Sequence, residues 1–204
     1  MGTILDIVMS VMLGGVLLLI IMTATDVAAE NVATTYGDRY VQEALLSITQ
    51  QVEGDFRNMG FGVPDSQRIV TYADSQRISF RSDLRPFGSV DTVTYWVGPI
   101  SELASTTNEL DRYLYRRQGN GAARPVGIVT DFRLRFIDRE FKLIPLPVAD
   151  TSKTRVHNVE MSIEVQNPQA LHRPRGSVGT GEREALYSSI AWKQTRLVLQ
   201  NLDR

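Results

Sequence analysis

Cysteine is absent from the 204-residue chain, which excludes disulfides, thiolate metal sites and a cysteine nucleophile. Histidine is scarce. His157 falls on a strand-like alternation and His172 in a loop beside Arg173 and Arg175; neither has a second ligand at metal-binding spacing, so each reads as an ordinary structural side chain. No proline precedes Pro64 and no lysine or arginine precedes Arg39. The first absence leaves a long segment free to be helical. The second removes the basic n-region of a secretory signal, although Ala24, Ala28 and Ala29 imitate a cleavage site, and it deprives the positive-inside rule of anything to count. A net charge of −1 gives no electrostatic case for nucleic acid, whose binders carry a basic patch or stripe. Gly176–Glu184 is glycine-rich but has no Gly-Lys-Ser/Thr ending, so it is not a phosphate loop. A Gly-x-Ser-x-Gly elbow and a His-Glu-x-x-His pair are both missing. The carboxylates Asp131, Asp138, Glu160 and Glu164 are spaced like the solvent faces of strands. The expectation is therefore no enzyme, no metal, no cofactor and no small-molecule substrate, with a glycosidase-type carboxylate pair, which has no local signature, left open.

What the chain does have is a long apolar run. Ile4 to Met22 is apolar except for Asp6, Ser10, Gly14 and Gly15, long enough for a membrane span. From about Asn31 an apolar stripe continues at steps of three and four through Val32, Tyr36, Tyr40, Val41, Ala44, Leu45, Ile48, Val52, Phe56 and Met59, which is helical spacing. Gly60, Gly62 and Pro64 supply the stop. The pattern predicts one helix from Thr3 to about Met59, a rod of roughly 85 Å. Asp6 either rests at the lipid–water boundary near the helix start or pairs with a cation on a neighbouring subunit. Gly14 and Gly15 weaken the helix. Ser10 with Gly14, and Ala24 with Ala28, form small-xxx-small pairs that allow close helix packing; local melting at the glycines is the other reading.

After Pro64 short β-branched and aromatic runs alternate with turn residues. Strands are expected at Ile69–Tyr72, Arg77–Arg81, Val90–Val97, Tyr113–Arg117, Val126–Asp138, Val156–Gln166 and within Tyr187–Leu199. The loops Leu143–Lys153 and Gln166–Glu184 separate the last three, the second being long for a compact domain. Arg112, Arg116, Arg117 and Arg124, with Tyr113 and Tyr115 among them, suggest a solvated strand face or a surface for RNA or another polymer. The fold class is α+β: a long N-terminal helix, apolar then amphipathic, packed on an antiparallel β-sheet. The division is 1–30, apolar transmembrane or filament-core half-helix, then 31–204, globular domain, with the amphipathic half-helix at 31–60 and the β-rich part at 65–204.

In series, Val52–Gly60, Ile78–Leu84, Val90–Trp96, Tyr113–Arg117, Gly127–Asp138 and Arg196–Leu202, behind such a helix, resemble type IV pilins and the pseudopilins of type II secretion, most closely their minor-pilin and minor-pseudopilin group. The resemblance implies a non-enzymatic filament subunit whose partners are copies of itself or related pilin-like subunits. It implies an inner-membrane position before assembly, and an extracellular filament or the periplasm and cell envelope afterwards. With Met1 removed, Asp6 stands fifth, where the family places a Glu; a cut after Gly2 puts it fourth. The assembly residues so implied are Asp6, Ser10, Gly14, Gly15, Ala24 and Ala28. Two other readings stand beside it: a non-polymerising, membrane-anchored envelope or virion binding protein, and an anchored hydrolase.

Overall fold

The computed structural model describes residues 2–84, 89–106, 108–149, 156–167 and 189–198. Helix α1 (Gly2–Arg57) is unbroken through both glycines and both halves of the expected rod. It ends where the stop residues predict. Asn58 and Met59 close the last turn, the Gly60 amide donates to Arg81 O at 2.9 Å, and Gly60 and Gly62 have φ of 80° and 70°, which glycine adopts without the Cβ penalty.

Eight strands follow: β1 (Val70–Ala73), β2 (Arg77–Ser82), β3 (Asp91–Val97), β4 (Arg112–Gln118), β5 (Arg124–Val129), β6 (Asp131–Ile137), β7 (Asn158–Gln166) and β8 (Ile190–Val198), with a short 3-10 turn at Ile100–Leu103. They form two antiparallel sheets rather than one, in the orders β1-β2-β3-β4-β5 and β6-β7-β8. The single strand expected over Val126–Asp138 is two. β5 pairs with β4 and β6 with β7, and Thr130 between them turns the chain from one sheet to the other, its amide donating to Glu164 O at 2.9 Å. The apolar letters keep one period through this join at Val126, Ile128, Phe132, Leu134 and Phe136, whereas the buried residue of β5 is Val129, so periodicity alone could not reveal the break. The loop readings at 168–184, including His172 and the glycine-rich run, lie outside the described residues, as do 150–153 of the Leu143–Lys153 loop.

The core joins all three layers. Phe56 meets Phe80 and Tyr95 edge-to-face, with centroids 5.6 and 5.8 Å apart, an arrangement that adds to burial. Ile48, Val52 and Phe56 of α1 share one buried cluster with Ile78, Val93 and Leu114 of the larger sheet and Phe132, Met161 and Ile163 of the smaller. Gly127 of β5 lies so close to α1 that a Cβ there would stand 2.5 Å from Ile48 Cδ1; glycine is what permits this approach. The docked face of α1 begins at Gly37, the first buried residue, which faces Asn167 and Ser189.

One expectation about the helix is overturned. Val32, Tyr36 and Tyr40 are exposed. At about 100° per residue Val32 and Tyr36 lie about 140–180° from Val41 and Tyr40 about 100° from it; each i, i+4 step drifts about 40°, so the sequence stripe winds from an exposed side onto the docked one. Two further corrections concern charged groups. Asp138 and Glu160 are buried rather than on a solvent face: Asp138 accepts from the Lys142 amide at 2.8 Å, and Glu160 is covered by Arg135, Arg196 and Gln194. Arg116 is not part of a solvated face either, since it points at α1.

Candidate assembly surface

Every side chain from Thr3 to Ala29 is exposed, and the most apolar 18-residue window of α1 has a mean hydropathy of 2.7. The helix is long and apolar enough to cross a membrane. Its hydroxyls are internally satisfied. Ser10 Oγ donates to Asp6 O at 2.7 Å, Thr23 to Leu19 O, and Thr25 to Met22 O at 2.8 Å. A helix whose hydroxyls are spent on its own carbonyls exposes only apolar surface and suits a medium without water. Asp6 and Asp26 are the exceptions: neither carboxylate has a hydrogen bond or ion pair with a described residue, although the Asp6 carbonyl accepts from Ser10.

The geometry brings most of the expected assembly residues onto one meridian. Asp6 and Ala24 are five helical turns apart on the same side; Ser10, Gly14 and Ala28 fall within about 80° of them. Gly15 is about 100° farther round. Val32 and Tyr36 continue the Gly14 side upward, on the side of α1 away from Val41. A Cβ at Gly14 or Gly15 would meet nothing within 4 Å, so no contact inside the chain requires glycine there.

Carboxylates of the last helical turns hold the rod to the domain, a role that the apolar spacing of the sequence did not reveal. Asp55 accepts from Tyr95 Oη at 2.6 Å and from Arg116 Nε at 2.5 Å, binding α1 to the larger sheet. Glu53 accepts from Thr195 Oγ1 at 2.9 Å and pairs with Lys193 Nζ at 2.9 Å, binding it to the smaller one. Burial, and then the Asp55 charge, push the Tyr95 hydroxyl well above its ordinary pKa. For Glu53 burial acts to raise the pKa, but the bonds from Lys193 and Thr195 and the nearby cations outweigh it and hold the carboxyl below the usual range. Glu160 is held down in the same way: burial opposes, while Arg196, Gln194 and Arg135 prevail. The only advance signal for these contacts was a pair of carboxylates one and three residues before Phe56.

Among the described residues no group of three acidic or histidine side chains converges as a metal site. Two surface depressions are shallow and polar, about 120 Å³ over Arg135 and Glu160 and about 340 Å³ over Arg116 and Arg124.

No protein-family model matches the chain, and no curated protein does. Among solved structures, a type IV-like pilin from Thermus thermophilus is similar: 14% identity, TM-score 0.51, with 81% of this chain and all of that one covered. The α+β fold, one long N-terminal helix followed by antiparallel sheets, is therefore pilin-like.

Proposed function

We propose that this chain is a non-enzymatic structural subunit of a type IV pilus-like filament or pseudopilus, of the minor-pilin or minor-pseudopilin kind. Residues 1–30 hold it in the inner membrane until assembly and then lie in the filament core. Residues 31–204 form the outer part, in an extracellular fibre or in the periplasm and cell envelope. The observation that carries this reading is the complete exposure of Thr3–Ala29 beside a domain that closes its own core without it. Such a surface is covered by lipid first and by other spans later.

Ser10, Gly14, Ala24 and Ala28 allow a neighbouring helix to approach, and Gly15 relieves crowding at the flank. Asp6 neutralises a cationic group on an adjacent subunit, most simply a terminal amine; a carboxylate in hydrocarbon is costly until it is so paired. Copies of this chain or related pilin-like subunits are the partners. The test is negative-stain microscopy of cells expressing Asp6→Ala. The reading expects loss of filaments with the domain still folded by circular dichroism. Unchanged filaments remove Asp6 from the mechanism.

A further inference from the structure

The larger sheet has a second face, turned away from α1, that assembly through the helix leaves unused. Arg77, Trp96 and Tyr115 stand opposite one another across β2, β3 and β4. The Trp96 and Tyr115 rings stack with centroids 5.4 Å apart and planes 22° from parallel. The Arg117 guanidinium lies over Trp96 at 5.7 Å, and that of Arg77 over Tyr72 at 5.1 Å. Neither arginine has an ion pair with a described residue. The carboxylate that reaches the row, Glu102, accepts from Tyr115 Oη at 2.7 Å. Arg81 lies on the same side, two register positions from Arg77 along the side-chain alternation.

We propose that this face binds single-stranded nucleic acid. Each guanidinium carbon lies within cation–π range of a ring on this face. A base laid on Arg117 or on Arg77 adds a second planar partner to a cation–π pair already formed. Guanidinium planes and aromatic rings are the surfaces on which unpaired bases stack. Arg77 and Arg117 are two strands and two residues apart, about 12 Å, a distance that a few nucleotides cross, and Arg81, whose Nη1 donates to Arg68 O at 3.4 Å, adds a third positive charge on the same face. A duplex hides its base faces, and an acidic polysaccharide offers charge but no planar ring for the guanidinium to cover. The net charge of −1 does not oppose this, because the fold sorts charge: Asp55, Glu53 and Glu160 are consumed in contacts elsewhere. Composition averages over faces that the fold separates.

The test uses the full chain in nonionic detergent. Trp192→Phe leaves Trp96 as the sole tryptophan, so its fluorescence reports on this face. A labelled oligothymidylate of about 15 nucleotides should bind saturably, quench Trp96 and weaken as salt rises. Arg117→Gln or Arg77→Gln should lower the affinity about tenfold with an unchanged thermal melt, and Arg117→Gln should reduce the salt dependence. The proposal is overturned by the absence of saturable quenching, by equal binding to Arg117→Gln, or by duplex DNA or polygalacturonate displacing the oligonucleotide at a lower concentration of charge. The measurement is made on unassembled protein, so its outcome is separate from that of the filament reading.

Discussion

Asp55 is one residue on which two layers converge. Its carboxylate meets Tyr95 and Arg116 in a site only 15% exposed, so replacing it by Ala leaves a half-buried guanidinium and a buried phenol without their acceptor. Loss of such an acceptor costs about 1–3 kcal/mol, and Asp55→Ala should lower the urea midpoint accordingly, with Tyr95→Phe recovering part of the loss. Glu160 gives a pH-dependent counterpart. Its folded pKa lies below the ordinary carboxylate value because Arg196, Gln194 and Arg135 outweigh burial. The stabilisation is therefore full above the unfolded pKa and is lost as pH falls through the folded one. Glu160→Gln should lower the melting temperature at about pH 7 and have little effect below about pH 4; an equal shift at both would refute the assignment. Neither role was legible in the sequence. A carboxylate on a polar helix face and one on an alternating strand look solvated until the partners, 61 residues away for Asp55–Arg116 and 36 for Glu160–Arg196, are folded against them.

The elements themselves were more legible than their partners. The helix, its glycine stop and the expected strand segments follow from apolar period and turn residues, since those signals are local. Two element-level facts are not local. The division of Val126–Asp138 between two sheets depends on which neighbour each half pairs with. The turning of Val32, Tyr36 and Tyr40 away from the domain depends on where docking begins, and i, i+4 steps describe either face. The contrast is measurable: Phe56→Ala should cost the domain about 3–5 kcal/mol, whereas Tyr36→Ser should change its stability by less than about 0.5 kcal/mol. The helix–sheet approach at Gly127 gives another test. Gly127→Ala places a methyl against Ile48 and should destabilise by about 1–3 kcal/mol; adding Ile48→Val, which removes Cδ1, should restore part of that, whereas additive losses would contradict the contact.

At the scale of the molecule, a domain with a closed core carries a rod whose first half is exposed along its length among the described residues. At about 100° per residue Ser10, Gly14 and Ala28 lie about 140–180° from Val41 of the docked face, and Asp6, Ala24 and Gly15 about 80–100°. The exposed half of the rod was legible from the sequence in outline, because 19 consecutive residues, Ile4 to Met22, hold a single charge. The alignment of Ser10 and Gly14 with Ala24, Ala28, Val32 and Tyr36 required a continuous helix to connect the two halves. The central claim is that Ile4–Met22 is buried among copies or relatives of this chain. Cryo-electron microscopy of the native assembled material tests it most directly: the account predicts a fibre whose axis is a bundle of these helices with Gly14 against a neighbouring backbone, and a particle holding one copy, its span ringed by lipid or detergent alone, would contradict it.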